Sequence, residues 1–180
     1  MSLTHKSKYL ALLLRHAPEK GGITLDEHGW AAVHDLTDPA KAGFSLAELH
    51  EIVRTDAKGR YELNTEGTHI RAVQGHSLAD IEVGFTETEP PATLWHGTKQ
   101  QFMAAILSDG LQKMDRQYVH LSATEKTAWE VAGRRSGQSV LCTIDAAAMY
   151  RDGYKFYEAK NGVWLTLAVP YTYMTTTEKR

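Results

Sequence analysis

Most of what would mark a special environment is missing from this chain of 180 residues. It has one cysteine, Cys142, which excludes an internal disulfide and any cysteine-built zinc cluster. Neither sign of charge prevails: Lys and Arg number 20 against 22 Asp and Glu, a formal net charge of −2. No global basic field therefore draws the molecule onto nucleic acid, and any anion site must be built locally. The nine histidines show no zinc spacing such as His-Glu-x-x-His, so no metal is expected. No apolar run reaches the length of a membrane span, and the opening stretch MSLTHKSKY has no apolar signal core. The expected setting is cytoplasmic, with no membrane partner. There is no internal repeat and no low-complexity tract. Nothing suggests an obligate partner, so a monomer is expected.

What remains is a chain with 42% hydrophobic residues, enough for one or two small cores. The polar, proline-bearing stretch FTETEPPAT, residues 85–93, has no period and reads as a linker between residues 1–84 and 94–180. Before it, a helix is predicted from near Ser2 to His16, broken at Pro18, with a short segment around Trp30 and Val33. Ser45 to Glu48 forms a capping box that opens a second helix, with Leu46, Leu49, Ile52 and Val53 on one face. RYELN and THIRAVQ then read as strands across a tight turn at Gly67. Helices followed by a two-stranded wing suggest a winged-helix lobe. After the linker, TLWHGT, YVHLS and SVLCTI read as strands. Thr98 is expected to cap a helix with Phe102, Met103, Ile106 and Leu107 inward, and another helix to run from about Thr124 to Arg135. Asn161-Gly162 signals a hairpin. Short strands and few helices, without βαβ alternation, give an α+β fold class.

Four places could carry chemistry. Arg15 and His16 stand side by side at a helix end, where cations suit the helix dipole or converge on an anion. Arg71 lies mid-strand, where a long cation must find a partner or the surface; Gln74 to Ser77 then leave the strand as a polar turn resembling a wing tip in water. WHGT and VHLS repeat one pattern, His-x-Thr/Ser on a strand, placing imidazole and hydroxyl on the same face. There Gly97 would let a ligand approach the backbone closely. Paired histidines of this kind also suit a phosphodiesterase using general base and acid. Finally, GRRSG, residues 133–137, can present planar guanidinium forks to phosphate. A winged-helix DNA-binding regulator is a further reading, but residues 45–56 carry Glu48, Glu51 and Asp56 against Arg54, a poor neighbour for a phosphate backbone.

Taken together, LLLRHAPEKGGITLDEHGWAAVHDL, RYELNTEGTHIRAVQGHS, LWHGT, GLQKMDRQYVHLS and GRRSGQSVL resemble the NAD-dependent RNA 2′-phosphotransferases, over about Lys6 to Val169. The resemblance implies an N-terminal winged-helix lobe and a C-terminal lobe of ADP-ribosyltransferase type. It implies that an internal RNA 2′-phosphate, tRNA-like or other, attacks NAD and expels nicotinamide. The ribose 2″-hydroxyl then attacks phosphorus, leaving 2′-hydroxyl RNA and ADP-ribose 1″,2″-cyclic phosphate. The family's Arg-His-Arg-Arg set falls on Arg15, His16, Arg71 and Arg135, the last rather than Arg134 because the pattern Gly-x-Arg starts at Gly133. Its NAD-binding motifs fall on His96, Gly97, Thr98, His120 and Ser122. Trp95 stands where tyrosine is more usual. Val163 stands where protein-modifying transferases carry a glutamate, with Glu158 nearby. A phosphate acceptor is already anionic and needs no such base.

Overall fold

The computed structural model describes residues 2–178. The chain forms two compact units, one up to Gly84 and one from Phe85 onward. Each has its own core.

In the first unit, helix α1 spans Leu3–Arg15, started by the Ser2 hydroxyl accepting from His5 N–H and ended at His16. It buries Leu10, Leu13 and Leu14, which are inaccessible to solvent. Burying each such side chain contributes roughly 1.5–3 kcal/mol. A short 3-10 turn at Pro18–Gly21 follows. The segment around Trp30 is a strand, β1 (Trp30–Ala32), which runs into α2 (Val33–Thr37). The predicted capping box is present: Ser45 Oγ accepts from Glu48 N–H while the Glu48 carboxylate accepts from Ser45 N–H. It opens α3 (Leu46–Thr55), whose Leu49 and Ile52 are buried. Leu46, expected on the apolar face, is 52% exposed, because the first turn has no neighbour over it to bury against. Strands β2 (Tyr61–Leu63) and β3 (His69–Ala72) pair across the Gly67 turn, and β1 joins β3, giving an antiparallel sheet in the order β1-β3-β2. Ile70 and Ala72 face the helices; Arg71 points to the other side.

The second unit begins with Phe85, whose ring packs edge-on against Tyr118, and with Glu87 paired to Tyr157. Strand β4 (Thr93–Lys99) extends further than the sequence suggests. Thr98 lies inside it, paired with Val140, and does not cap a helix. A 3-10 turn (Gln100–Phe102) precedes α4 (Met103–Asp109), which buries Met103 and Ile106. Phe102 and Leu107, expected inward, are 39% and 50% exposed: Phe102 lies in the 3-10 turn before α4, and the buried face of α4 is that of Met103 and Ile106. Next come β5 (Leu111–Gln112), β6 (Val119–Leu121), α5 (Glu125–Ala132), β7 (Ser139–Asp145) and α6 (Ala146–Arg151). Helix α5 is capped by Thr124 and stops at Ala132, so Arg134 and Arg135 lie in the turn beyond it. The chain continues through β8 (Tyr157–Glu158), β9 (Trp164–Thr166), β10 (Ala168–Val169) and β11 (Met174–Glu178). The described sheets are β11-β7-β4, β6-β9-β8 and β10-β5, with every pairing antiparallel. Small antiparallel sheets with short helices make the chain mixed α and β, in keeping with α+β. No described helix is long and apolar enough to cross a membrane.

Candidate active site

The end of α1 is held from the far side of the first unit. Ser77 N–H donates to the Arg15 carbonyl at 3.0 Å, and Ser77 Oγ lies 2.9 Å from His16 Nδ1. The Arg15 side chain lies over Gly75: a Cβ there would sit 3.5 Å from the guanidinium carbon, on a backbone with φ +92°. Only glycine takes that conformation without strain. The turn from Gln74 to Ser77 is therefore no tip in water. His76 is 1% exposed, and neither ring nitrogen has a hydrogen-bond partner among the described residues. Burial, reinforced by the charges of Arg15, His16 and Arg71, pushes its pKa down to about 4. The ring is neutral at pH 7 and lies within the field of all three sequence-predicted cations of this unit.

Arg71 has the partner that a mid-strand cation needs. Its guanidinium lies 4.5 Å from the Trp30 ring centroid and pairs with Glu62, directly opposite on β2. Nη1 reaches the His28 and Val83 carbonyls at 3.3 and 3.4 Å. With its side chain only 14% exposed, Arg71 is fixed in one orientation before any ligand arrives. A pocket of about 280 Å³ lies in this unit, lined by Glu27, His28, Ala79, Asp80 and Glu82. Its carboxylates make it a poor receptor for phosphate.

In the second unit the two His-x-Thr/Ser motifs come together. Trp95 and Ser122 exchange both backbone hydrogen bonds, at 3.0 and 2.7 Å, which joins β4 to the end of β6. Across that junction His96 Nδ1 lies 2.9 Å from the His120 carbonyl. A carbonyl only accepts, so Nδ1 carries the hydrogen and His96 presents Nε2 as an acceptor. Burial lowers the His96 pKa and keeps the ring neutral. His120 is set the opposite way. Arg116 Nη1 lies 3.2 Å from its Nδ1, and a guanidinium only donates, so in neutral His120 the hydrogen sits on Nε2. Thr98 is held in the β4–β7 ladder.

Gly97 has a packing task that its sequence does not announce. A Cβ there would come 1.9 Å from the Ala128 carbonyl oxygen and 2.8 Å from Ala132 N. On that side the space is filled by the backbone of α5. That close crossing lets α5 pack directly on β4, and Arg134 and Arg135 follow just beyond the helix. Ser77, Glu62 and Arg116 went unsuspected in the sequence: each matters through a contact with a residue that sequence spacing does not connect to it. Among the described residues, no group of three or more His, Cys, Asp or Glu is placed to hold a metal ion.

This chain of two mixed α and β units belongs to the RNA 2′-phosphotransferases. The description "RNA 2′-phosphotransferase, Tpt1 / KptA family" matches residues 2–168. A Flavobacterium johnsoniae protein called "Probable RNA 2′-phosphotransferase" is 48% identical over 171 residues, covering 93% of this chain and 93% of its own. Proteins of the same description from Pseudomonas syringae pv. tomato and Rhodopirellula baltica are each 46% identical. The first match covers 94% of this chain and 91% of the relative, the second 96% and 95%.

Proposed function

We propose that the chain removes an internal 2′-phosphate from RNA by transferring it to NAD. The observation that carries this reading is the family match across residues 2–168, which spans every candidate residue from Arg15 to Arg135. In this reading residues 1–84 are a winged-helix lobe, residues 94–180 are an ADP-ribosyltransferase-like lobe, and the enzyme is cytoplasmic. The second unit suits NAD chemically. His96 Nε2 is an acceptor for a ribose hydroxyl, His120 Nε2–H is a donor, and Thr98 and Ser122 carry hydroxyls two residues further along the chain.

The phosphate is the nucleophile in the first step. One of its oxygens bonds to the ribose carbon bearing nicotinamide, the glycosidic bond breaks, and nicotinamide leaves. In the second step the 2″-hydroxyl oxygen attacks phosphorus, the bond to the RNA 2′-oxygen breaks, and the hydroxyl proton passes to that oxygen. A dianion approached in turn by two groups must be held still. Arg15, His16, Arg71 and Arg135 supply donors for it, and donors fixed in advance stabilise the charge that builds at phosphorus. Ser77 on His16, and Glu62 and Trp30 on Arg71, provide that fixing.

The test is incubation of a 2′-phosphorylated oligonucleotide with and without NAD, in excess EDTA. The expected result is loss of the 2′-phosphate and release of nicotinamide only with NAD, and no effect of EDTA. Phosphate loss without NAD would refute the reading.

A further inference from the structure

Three arginines of this protein have carboxylate partners close at hand: Arg54 pairs with Glu51, Arg60 with Asp56 and Arg71 with Glu62. Arg116, Arg134 and Arg135 do not. No ion pair joins any of them to a carboxylate among the described residues. The fold nevertheless gathers them. Ala132, the last residue of α5, packs on Gly97 of β4, and Arg134 and Arg135 follow within three residues. His96, the residue before Gly97, bonds the His120 carbonyl, and Arg116 bonds the His120 ring. Burial first, and then the charges of Arg135 and Arg134, lower the pKa of Arg116. Like charges brought together without counter-charge are destabilising until an anion joins them.

The loop that carries Arg116 is also set with some strain. Met114 is the one described non-glycine residue with positive φ, +53°, and it is 80% exposed. A non-glycine residue in that region is strained and persists where the surroundings require it. The turn is closed by Arg116 N–H donating to the Lys113 carbonyl.

We propose that Arg116 binds a phosphate of the NAD diphosphate and, through the same guanidinium, holds His120 in the tautomer with hydrogen on Nε2. This rests on the NAD reading above and adds to it a residue outside the four expected at the 2′-phosphate. The diphosphate is favoured over an RNA phosphate because Arg116 is wired to His120 and, through it, to His96. One guanidinium has five donors, so one N–H on His120 leaves others for phosphate oxygens. The planar fork then suits two oxygens at once.

The experiment compares wild type, Arg116→Ala and Arg116→Lys for binding of three probes: ADP-ribose, adenosine and a 2′-phosphorylated oligonucleotide. Chemical shifts of the ¹⁵N-labelled His120 ring report its tautomer. In Arg116→Ala, ADP-ribose should bind about 10- to 100-fold more weakly, the loss typical of a charge-assisted hydrogen bond. Adenosine and the oligonucleotide should bind as to wild type, and the His120 ring should lose its single tautomer. Arg116→Lys should recover part of the ADP-ribose affinity, since an ammonium keeps the charge but not the fork. Weaker oligonucleotide binding with ADP-ribose unchanged would assign Arg116 to RNA and overturn the inference. So would equal losses for ADP-ribose and adenosine. Wild-type protein that binds the oligonucleotide but not ADP-ribose would instead overturn the NAD reading on which the inference stands.

Discussion

Ser77 holds His16 from 61 residues away: its Oγ lies 2.9 Å from His16 Nδ1 while its N–H donates to the carbonyl of Arg15. One serine thus fixes the orientation of the imidazole and the path of the backbone at the end of α1. Ser77→Ala keeps the backbone bond and removes only the hydroxyl. A hydrogen bond of this kind contributes about 1–1.5 kcal/mol, so kcat should fall about tenfold with KM little changed. Steady-state kinetics on a 2′-phosphorylated oligonucleotide checks this. A rise in KM at constant kcat would mean that the serine acts in binding, not in aligning His16.

His76 gives the stability an acid-side dependence. Its pKa lies at about 4 in the folded protein, against 6.5 as the ordinary value. The unfolded chain therefore binds the proton more readily, and stability is lost as pH falls from about 6.5 to about 4. The full loss is about 3 kcal/mol. Above pH 7 both states are neutral and the contribution is constant. His76→Phe removes the titrating group and two unsatisfied nitrogens, so its urea midpoint should fall less than that of wild type between pH 7 and 4.5. Parallel curves for the two proteins would refute the assignment.

Gly97→Ala separates packing from ligand approach. A Cβ 1.9 Å from the Ala128 oxygen forces α5 off β4, with an expected loss of about 3 kcal/mol or more. Urea unfolding measures it. A variant as stable as wild type that no longer binds ADP-ribose would restore the ligand-approach role and contradict the packing role.

Arg71 should separate the two chemical steps. In the proposed function, nicotinamide departure requires a phosphate oxygen near the ribose carbon, whereas the second step must stabilise added charge at phosphorus. Loss of one preorganised donor typically costs about 3–4 kcal/mol, on the order of 10²–10³ in rate. Arg71→Ala should therefore accumulate RNA carrying ADP-ribose on its 2′-phosphate, and Arg71→Lys should recover only part of the second step. A time course following substrate, intermediate and product decides. Equal slowing of both steps, with no intermediate, would place Arg71 in binding or in the first step.

The sequence was most legible where local chemistry decides structure. The Ser45 and Glu48 box, the α1 apolar face and the strands bearing His96 and His120 are all as expected, because caps and periods act within a few residues. It was least legible where partners decide. Strand β11, Met-Thr-Thr-Thr-Glu, buries only Met174 and shows no alternation; it exists because β7 offers an edge. Helix α6 rests on a cap, Asp145 accepting from Ala148 N–H, with no apolar period to announce it. At the candidate site, motif patterns single out the residue types that the proposed function uses. Their supports were not, since Ser77, Glu62 and Arg116 act through contacts that only the fold creates.

The most direct measurement follows the phosphorus atom. RNA labelled with ³²P in its internal 2′-phosphate is incubated with the protein and NAD, and label and nicotinamide are counted together. The proposed function predicts label in ADP-ribose 1″,2″-cyclic phosphate, resistant to phosphatase, with one nicotinamide released for each labelled phosphate transferred. Label recovered as inorganic phosphate, with NAD intact, would contradict it.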